Sequence, residues 1–433
     1  YRNRRPMAEP WVWAGVGGEA PEGGERRAAP AGVFAGAGVP APKRVLVTGA
    51  SGFIGARVAE VLRLREGCEV RAAVHNPGNA SRLARLDVEM VQGSLESDAD
   101  VERMVRGCDA VIHCAIGTDW GSRRKIFAVT AGGTRRLAEA ALAAGVGRFV
   151  HLSTISVFGD DGALTGTLDA GTPVRPARGS DYGESKAAAE RAVLRAAERG
   201  LTAVVLRPAR VFGPFARIFV TRPVQAIARG CFRWIGDPDV PADLVYVDNL
   251  VEAILRCAAA PAEKVRGEAF NISDGDPMTW REFYAYFAAA LGLDLDKVPS
   301  RPKGAARGPN AVVRAVKFPL SLFRGVRQIV TSAEFKSLGR RVLQTDPVGA
   351  LPRWMLGRFP PLERAARRLV GADNAPPVYR RGEPAAGEFV EMGSAGALVC
   401  IDKARRLLGY EPVVPRPEAM QHTLEWIRHA RLV

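Results

Sequence analysis

Three glycines, Gly49, Gly52 and Gly55, follow the apolar run Lys43-Arg-Val-Leu-Val-Thr48 and open an amphipathic helical pattern from Ala56 to Leu64. No other feature constrains the fold as strongly. A strand, a glycine turn and a helix in that order allow a tight reversal and close backbone approach of a pyrophosphate, which the helix N-terminus attracts. The chain is therefore expected to bind a dinucleotide.

From Lys43 onward, apolar β-rich runs alternate with helical patterns, as in a parallel sheet with crossover helices. The runs predict strands at Lys43 to Thr48, Glu69 to Val74, Val88 to Gln92, Ala110 to Cys114, Arg148 to Ser153 and Thr202 to Leu206. Alanine-rich helices are predicted over Gly132 to Ala144 and Ser185 to Glu198. After Pro208 the pattern becomes irregular, then returns to the sheet domain with a strand at Leu244 to Val247 and a helix from Asn249 to Ala258. The expected fold class is α/β: a Rossmann doubly wound parallel sheet with a smaller, mostly helical C-terminal substrate lobe. On this reading residues 1–41 are a disordered Gly/Ala/Pro-rich leader, and 42–207 with 244–260 form the dinucleotide-binding domain. Residues 208–243 and 261–433 form the substrate lobe, which includes a basic insertion at about 301–395.

Composition excludes several function classes. The six cysteines are scattered without CxxC spacing, as expected of buried thiols in a reducing cytoplasm. The five histidines form no cluster, so no metal is expected. No run of 18 uncharged apolar residues is present to span a bilayer. The net charge of +15 is concentrated in residues 301–370, which hold fifteen Lys and Arg against three acids. Apolar residues mixed with Arg314, Lys317, Arg324 and Arg327 over Val312 to Val330 fit either a lid packed on the core or an element lying on an anionic membrane surface. No aromatic interleaving accompanies this charge, so nucleic acid is not an expected partner. The expected location is cytoplasmic, with membrane association through 301–370 as the alternative to a lid.

Tyr182 and Lys186 stand four apart at the head of a helical run and so share one helix face. The ammonium can depress the phenol pKa and hold a cofactor ribose, and such a phenol can exchange a proton with an alkoxide. Joined to the glycine turn, the pair points to hydride chemistry on a carbonyl or alcohol.

With these residues stand Asp109-Ala-Val-Ile-His-Cys-Ala115, Gly133-Thr134, Ser153-Thr-Ile-Ser-Val-Phe-Gly159, Leu206-Arg-Pro-Ala-Arg-Val-Phe-Gly-Pro214 and Tyr246-Val-Asp-Asn-Leu-Val-Glu-Ala253. In this order they resemble the extended short-chain dehydrogenase/reductases of the NAD-dependent epimerase/dehydratase superfamily. The resemblance runs from about Lys43 to Ala290 and resumes at Cys400 to Pro412. It implies that Thr154 orients the substrate oxygen beside its neighbour Ser153, that Tyr182 is the acid/base, and that Lys186 lowers the tyrosine pKa and binds the ribose. It implies cofactor contacts from Gly49, Ser51, Gly52, Phe53, Ile54, Gly55, Ser94, Leu95, Cys114, Ala115, Thr130, Tyr182, Lys186 and Pro208. Thr130 stands where relatives commonly have an asparagine.

The second strand ends in Val74-His75-Asn76 without the acid that would bind a ribose 2′-hydroxyl. His75 and Arg82 instead resemble the pattern that accepts a 2′-phosphate, so NADP is favoured and NAD is the alternative. The substrate is read from departures. Ile155 and Ser156 replace the Asp-Glu pair of sugar-nucleotide dehydratases. Arg210 and Ala242 replace the Asn and Arg that serve a sugar-nucleotide diphosphate. The pattern is closest to the 3β-hydroxysteroid dehydrogenase and dihydroflavonol reductase branches, which implies a small apolar ketone or alcohol as substrate, with Arg210 as a grip for an anionic group. A nucleotide-sugar epimerase or reductase with tightly bound NAD and a non-catalytic dinucleotide sensor are the alternatives. The resemblance also implies a homodimer.

Overall fold

A computed structural model describes residues 32–36, 40–117, 122–159, 164–230, 232–292, 295, 300–301, 390–391 and 396–432. Most of the leader (residues 1–31 and 37–39) and nearly all of the basic segment lie outside the described residues, but residues 32–36, expected to be disordered, are placed: Phe34 is buried in the core and the Val33 amide donates to Glu66. By contact the chain divides into two units, residues 1–228, 234–300 and 390–433 forming one, and 229–233 with 301–389 the other. The elements below belong to the first.

Its centre is a parallel sheet of β1 (Arg44–Thr48), β2 (Glu69–Val74), β3 (Glu89–Gln92), β4 (Ala110–His113), β5 (Arg148–Leu152) and strands Ala203–Pro208 and Glu268–Ile272. Their order across the sheet is Glu268–Ile272, Ala203–Pro208, β5, β4, β1, β2, β3. The order reverses between β1 and β4, the switch point outside which doubly wound folds bind ligands. Alternate residues of one strand feed two cores, as the pleat requires. Val45 and Val47 of β1 join a core with helix α1 (Phe53–Leu64) and helix Val247–Ala259. Leu46 joins the opposite core with α2 (Asp98–Val105), α4 (Thr134–Ala143) and α5 (Asp181–Glu198). Covered on both faces, the inner strands β1 and β4 carry the nearly unbroken apolar runs this requires, whereas β3 at the edge is largely exposed.

The return to the sheet differs from expectation. Leu244–Tyr246 pairs in parallel with Arg210–Phe212 in a separate two-stranded ribbon, and the seventh strand of the main sheet is Glu268–Ile272. That strand has only five residues, Glu268-Ala-Phe-Asn-Ile272, with an acid at its head and Asn271 inside. Asn271 is tolerated because its amide donates to the carbonyls of Leu168 and Asp169. The helix after Tyr246 does return, packing against α1.

Candidate active site

The glycine turn closes on itself at the C-terminal end of β1. Gly49 has φ +68°, and a Cβ there would lie 2.8 Å from the backbone of Cys114 and Ala115. At Gly55 a Cβ would meet the Gly49 carbonyl oxygen at 2.3 Å, so the helix can dock on the turn only with glycine at that position. Gly52 is exposed and N-caps α1 without a side-chain hydrogen bond, which leaves the helix N-terminus open, flanked by Ser51, Phe53 and Ile54. An uncapped N-terminus at a sheet switch point suits a pyrophosphate. The turn therefore fits a dinucleotide.

Beneath it a buried hydrogen-bond chain has a fixed direction. The Thr134 hydroxyl donates to the Thr130 carbonyl at 2.5 Å, so it accepts from His113 Nε2 at 2.8 Å. The other ring nitrogen, Nδ1, then accepts from the Thr48 hydroxyl at 2.6 Å, whose oxygen accepts from the Ala115 amide. This is neutral imidazole in its Nε2–H form, and burial lowers its pKa to about 3. The Thr130 hydroxyl accepts from the Gly117 amide at 2.9 Å. Thr130, 1% exposed, thus braces the loop after β4. Cys114 and Ala115 lie in that loop, and burial pushes the Cys114 thiol up to about 12.

Ser180 N-caps α5 by accepting from the Gly183 amide, so the helix begins four residues earlier than expected and Tyr182 lies in its first turn. Gly183 brings this turn against the loop after β5: a Cβ there would lie 2.8 Å from the Ser156 carbonyl oxygen. That oxygen belongs to the short turn Ile155–Val157, which Thr154 caps by accepting from the Ser156 amide at 3.2 Å. Thr154 and Tyr182 thus rest on backbone segments in contact. Lys186, one turn on, is buried and donates from Nζ to the Leu152 carbonyl at 2.6 Å. Burial lowers its pKa to about 8, which leaves it mainly an ammonium at neutral pH.

Ser153 faces elsewhere. Its hydroxyl donates to Glu190 Oε1 at 2.5 Å, and Arg207 grips the same carboxylate through Nε and Nη2. Glu190 and Arg207 are both buried. The Ser153 hydroxyl, expected to contact the substrate, is engaged by Glu190 in the core. The pair it joins locks α5 to strand Ala203–Pro208, where Pro208 closes the strand. Glu190, not among the residues expected at the site, stands one turn beyond Lys186 on the alanine-rich buried face of α5, a position that signals a buried carboxylate.

His75 is exposed at the end of β2. Arg82 donates to the Phe53 carbonyl at 3.4 Å, lies 3.6 Å from Glu60 and stacks 4.1 Å from the Phe215 ring centroid, so it reaches the first turn of α1. The Ser94 hydroxyl accepts from the Glu96 amide, its own amide donates to Asp100, and Leu95 is buried. Arg210 is 6% exposed, with its guanidinium 5.5 Å from the Trp280 ring centroid; Ala242 is fully buried. Among the described residues no three His, Cys, Asp or Glu side chains are grouped to hold a metal, and no helix is long and apolar enough to cross a membrane.

The model of the NAD dependent epimerase/dehydratase family matches residues 45–273. A 2-alkyl-3-oxoalkanoate reductase of Stenotrophomonas maltophilia is 33% identical over 272 residues, 59% of this chain and 78% of that protein. A 3-beta-hydroxysteroid dehydrogenase of Mycolicibacterium neoaurum is 30% identical over 268 residues, 59% and 72% of the two chains. Among solved structures, a dTDP-glucose 4,6-dehydratase of Streptomyces venezuelae with NAD bound superposes with a TM-score of 0.61 at 21% identity, covering 90% of this chain and 98% of that one.

Proposed function

Because the chain belongs to the NAD-dependent epimerase/dehydratase family, we propose that it is an NAD(P)-dependent oxidoreductase that interconverts a ketone and a secondary alcohol on a hydrophobic, lipid-like molecule. The observation that carries this reading is the approach of the Tyr182 turn to the Thr154 turn, with the Lys186 ammonium one helical turn away.

A bound nicotinamide supplies or accepts the hydride. The residues of the chain handle the proton and the charge. Thr154, whose hydroxyl donates to Ser156 Oγ at 3.2 Å, turns that donor to the substrate oxygen. Tyr182 gives its phenolic proton to the developing alkoxide in reduction and takes it back in oxidation. Lys186, held by the Leu152 carbonyl, keeps two further N–H donors for ribose hydroxyls, and its charge stabilises the phenolate. NADP is the preferred cofactor on this reading, because β2 ends without an acid and Arg82 stands at the first turn of α1.

Two relatives carry names that describe a 3-oxo acid reductase and a steroid dehydrogenase. The first of these names suggests a 3-oxo acid as the substrate class, with Arg210 as the candidate grip for its carboxylate. The second reading is a nucleotide-sugar epimerase that retains NAD, in line with the fold likeness. Ala242 speaks against it, because a buried methyl offers nothing to a diphosphate. Native mass spectrometry of the purified protein separates the two: copurified NADP(H) without a sugar nucleotide is expected, whereas NAD with a nucleotide sugar would overturn the preference.

A further inference from the structure

Tyr182 is held on one side by the contact of Gly183 with Ser156, and on the other by a single arginine from a different helix. Arg123 opens α3 (Arg123–Phe127), which Ser122 N-caps. Its Nη1 donates to Asp181 Oδ1 at 2.6 Å and its Nη2 to Glu184 Oε2. Those carboxylates flank Tyr182 in sequence, one before it and one two after, and both belong to the first turn of α5. The guanidinium stacks 4.5 Å from the Phe127 ring centroid, which fixes its plane. The other Glu184 oxygen accepts from the Gly179 amide at 2.8 Å, so the fork also ties down the loop that leads into the helix. Arg123 holds the Glu184 carboxyl below its usual pKa, so the pair stays ionised at neutral pH.

We propose that Arg123 is a positioning residue: its fork on Asp181 and Glu184 sets the height of the Tyr182 phenol over the reacting carbonyl. The proposal rests on the reading of Tyr182 as the acid/base. Arg123 and Asp181 are 51% and 33% exposed, and a half-exposed ion pair contributes little to global stability. A small displacement of a catalytic group nevertheless costs far more in rate than in stability. That inequality separates positioning from a surface salt bridge.

The test compares Arg123→Met, Arg123→Lys and Tyr182→Phe. Arg123→Lys keeps the charge and loses the planar fork. The probes are NADPH with a long-chain 2-alkyl-3-oxoalkanoate and, needing no substrate, the ring-carbon resonances of 13C-tyrosine in the NADP+ complex. Tyr182→Phe assigns the Tyr182 signal among the seven tyrosines. Arg123→Met is expected to cut kcat by about 10- to 100-fold with KM for NADPH unchanged. Its melting temperature should fall by no more than about 4 °C. The Tyr182 resonance should shift in Arg123→Met and, to a lesser degree, in Arg123→Lys. High salt should lower wild-type kcat and leave Arg123→Met unaffected. A Tyr182 resonance in Arg123→Met that superposes on wild type overturns the proposal, whether or not the probe ketone turns over. Undiminished turnover by Tyr182→Phe would instead overturn the acid/base reading on which it rests.

Discussion

Replacing Gly52 and Gly55 separately by alanine tests whether the open end of α1 is the cofactor site. At Gly55 the new methyl would stand 2.3 Å from the Gly49 carbonyl oxygen and 2.7 Å from its carbon, both backbone atoms that cannot rotate away. Turn and helix must separate by about 1 Å, and overpacking of this kind costs about 1–3 kcal/mol. At Gly52 the nearest atom is the Gly49 oxygen at 3.1 Å, and φ of −85° is open to any residue. The fold should lose little more than the difference between glycine and alanine at an N-cap, about 1 kcal/mol, with the Gly49 carbonyl giving way by a few tenths of an ångström. The methyl of Gly52→Ala, however, stands on the uncapped N-terminus where a pyrophosphate must approach. Loss of one anion contact there is worth roughly 1–2 kcal/mol, so the dinucleotide should bind about 10-fold more weakly or worse. Thermal melts and calorimetric titration with NADP+ give both quantities. Gly55→Ala should lose stability and affinity together, and Gly52→Ala affinity almost alone. If Gly52→Ala binds NADP+ as tightly as the wild type, the dinucleotide does not lie on this helix and the argument fails.

Other predictions concern the groups beneath the site. Arg207→Met strands the Glu190 carboxylate in the core and should destabilise the fold by about 3–5 kcal/mol in chemical denaturation. Thr154→Val should reduce kcat by about 100-fold while Thr154→Ser retains most activity, because only the hydroxyl donor is lost in the first. Burial raises Asp243 to about 6 and Asp274 to about 7. The folded state then binds protons that the unfolded chain has already released, so stability should fall as pH rises from about 4 to about 7. Each proton can contribute a slope of up to about 1.4 kcal/mol per pH unit. A melting temperature that climbs over that range, or an equal slope in the double variant Asp243→Asn/Asp274→Asn, would contradict this.

The first six strands were readable to within a residue or two, the inner ones because they are apolar runs buried on both faces, and the exposed edge strand Glu89–Gln92 because charged residues and a glycine bound it. Tyr182 and Lys186 were readable because four residues along a helix is a local relation. What escaped depends on partners far along the chain. Ser153 has a hydroxyl that either a substrate or Glu190 could claim, and only the packing of α5 on β5 decides for Glu190. Thr130 gives its hydroxyl to the loop after β4 through the Gly117 amide, a partner that the sequence does not show. Strand Glu268–Ile272 carries too short a pattern to be read alone and is defined by its neighbour Ala203–Pro208. The start of α5 was within reach, since Ser180 with Asp181 and Glu184 behind it is a helix-start signal.

The site is expected to carry out net hydride transfer with Tyr182 as the proton carrier. The most direct measurement is the stoichiometry of nicotinamide absorbance lost per alcohol formed from a 2-alkyl-3-oxoalkanoate, in the wild type and in Tyr182→Phe at matched cofactor occupancy. One cofactor oxidised per product, with the rate of Tyr182→Phe reduced by at least about 100-fold, is the predicted result. Product formed without net change in nicotinamide, or full activity in Tyr182→Phe, would contradict it.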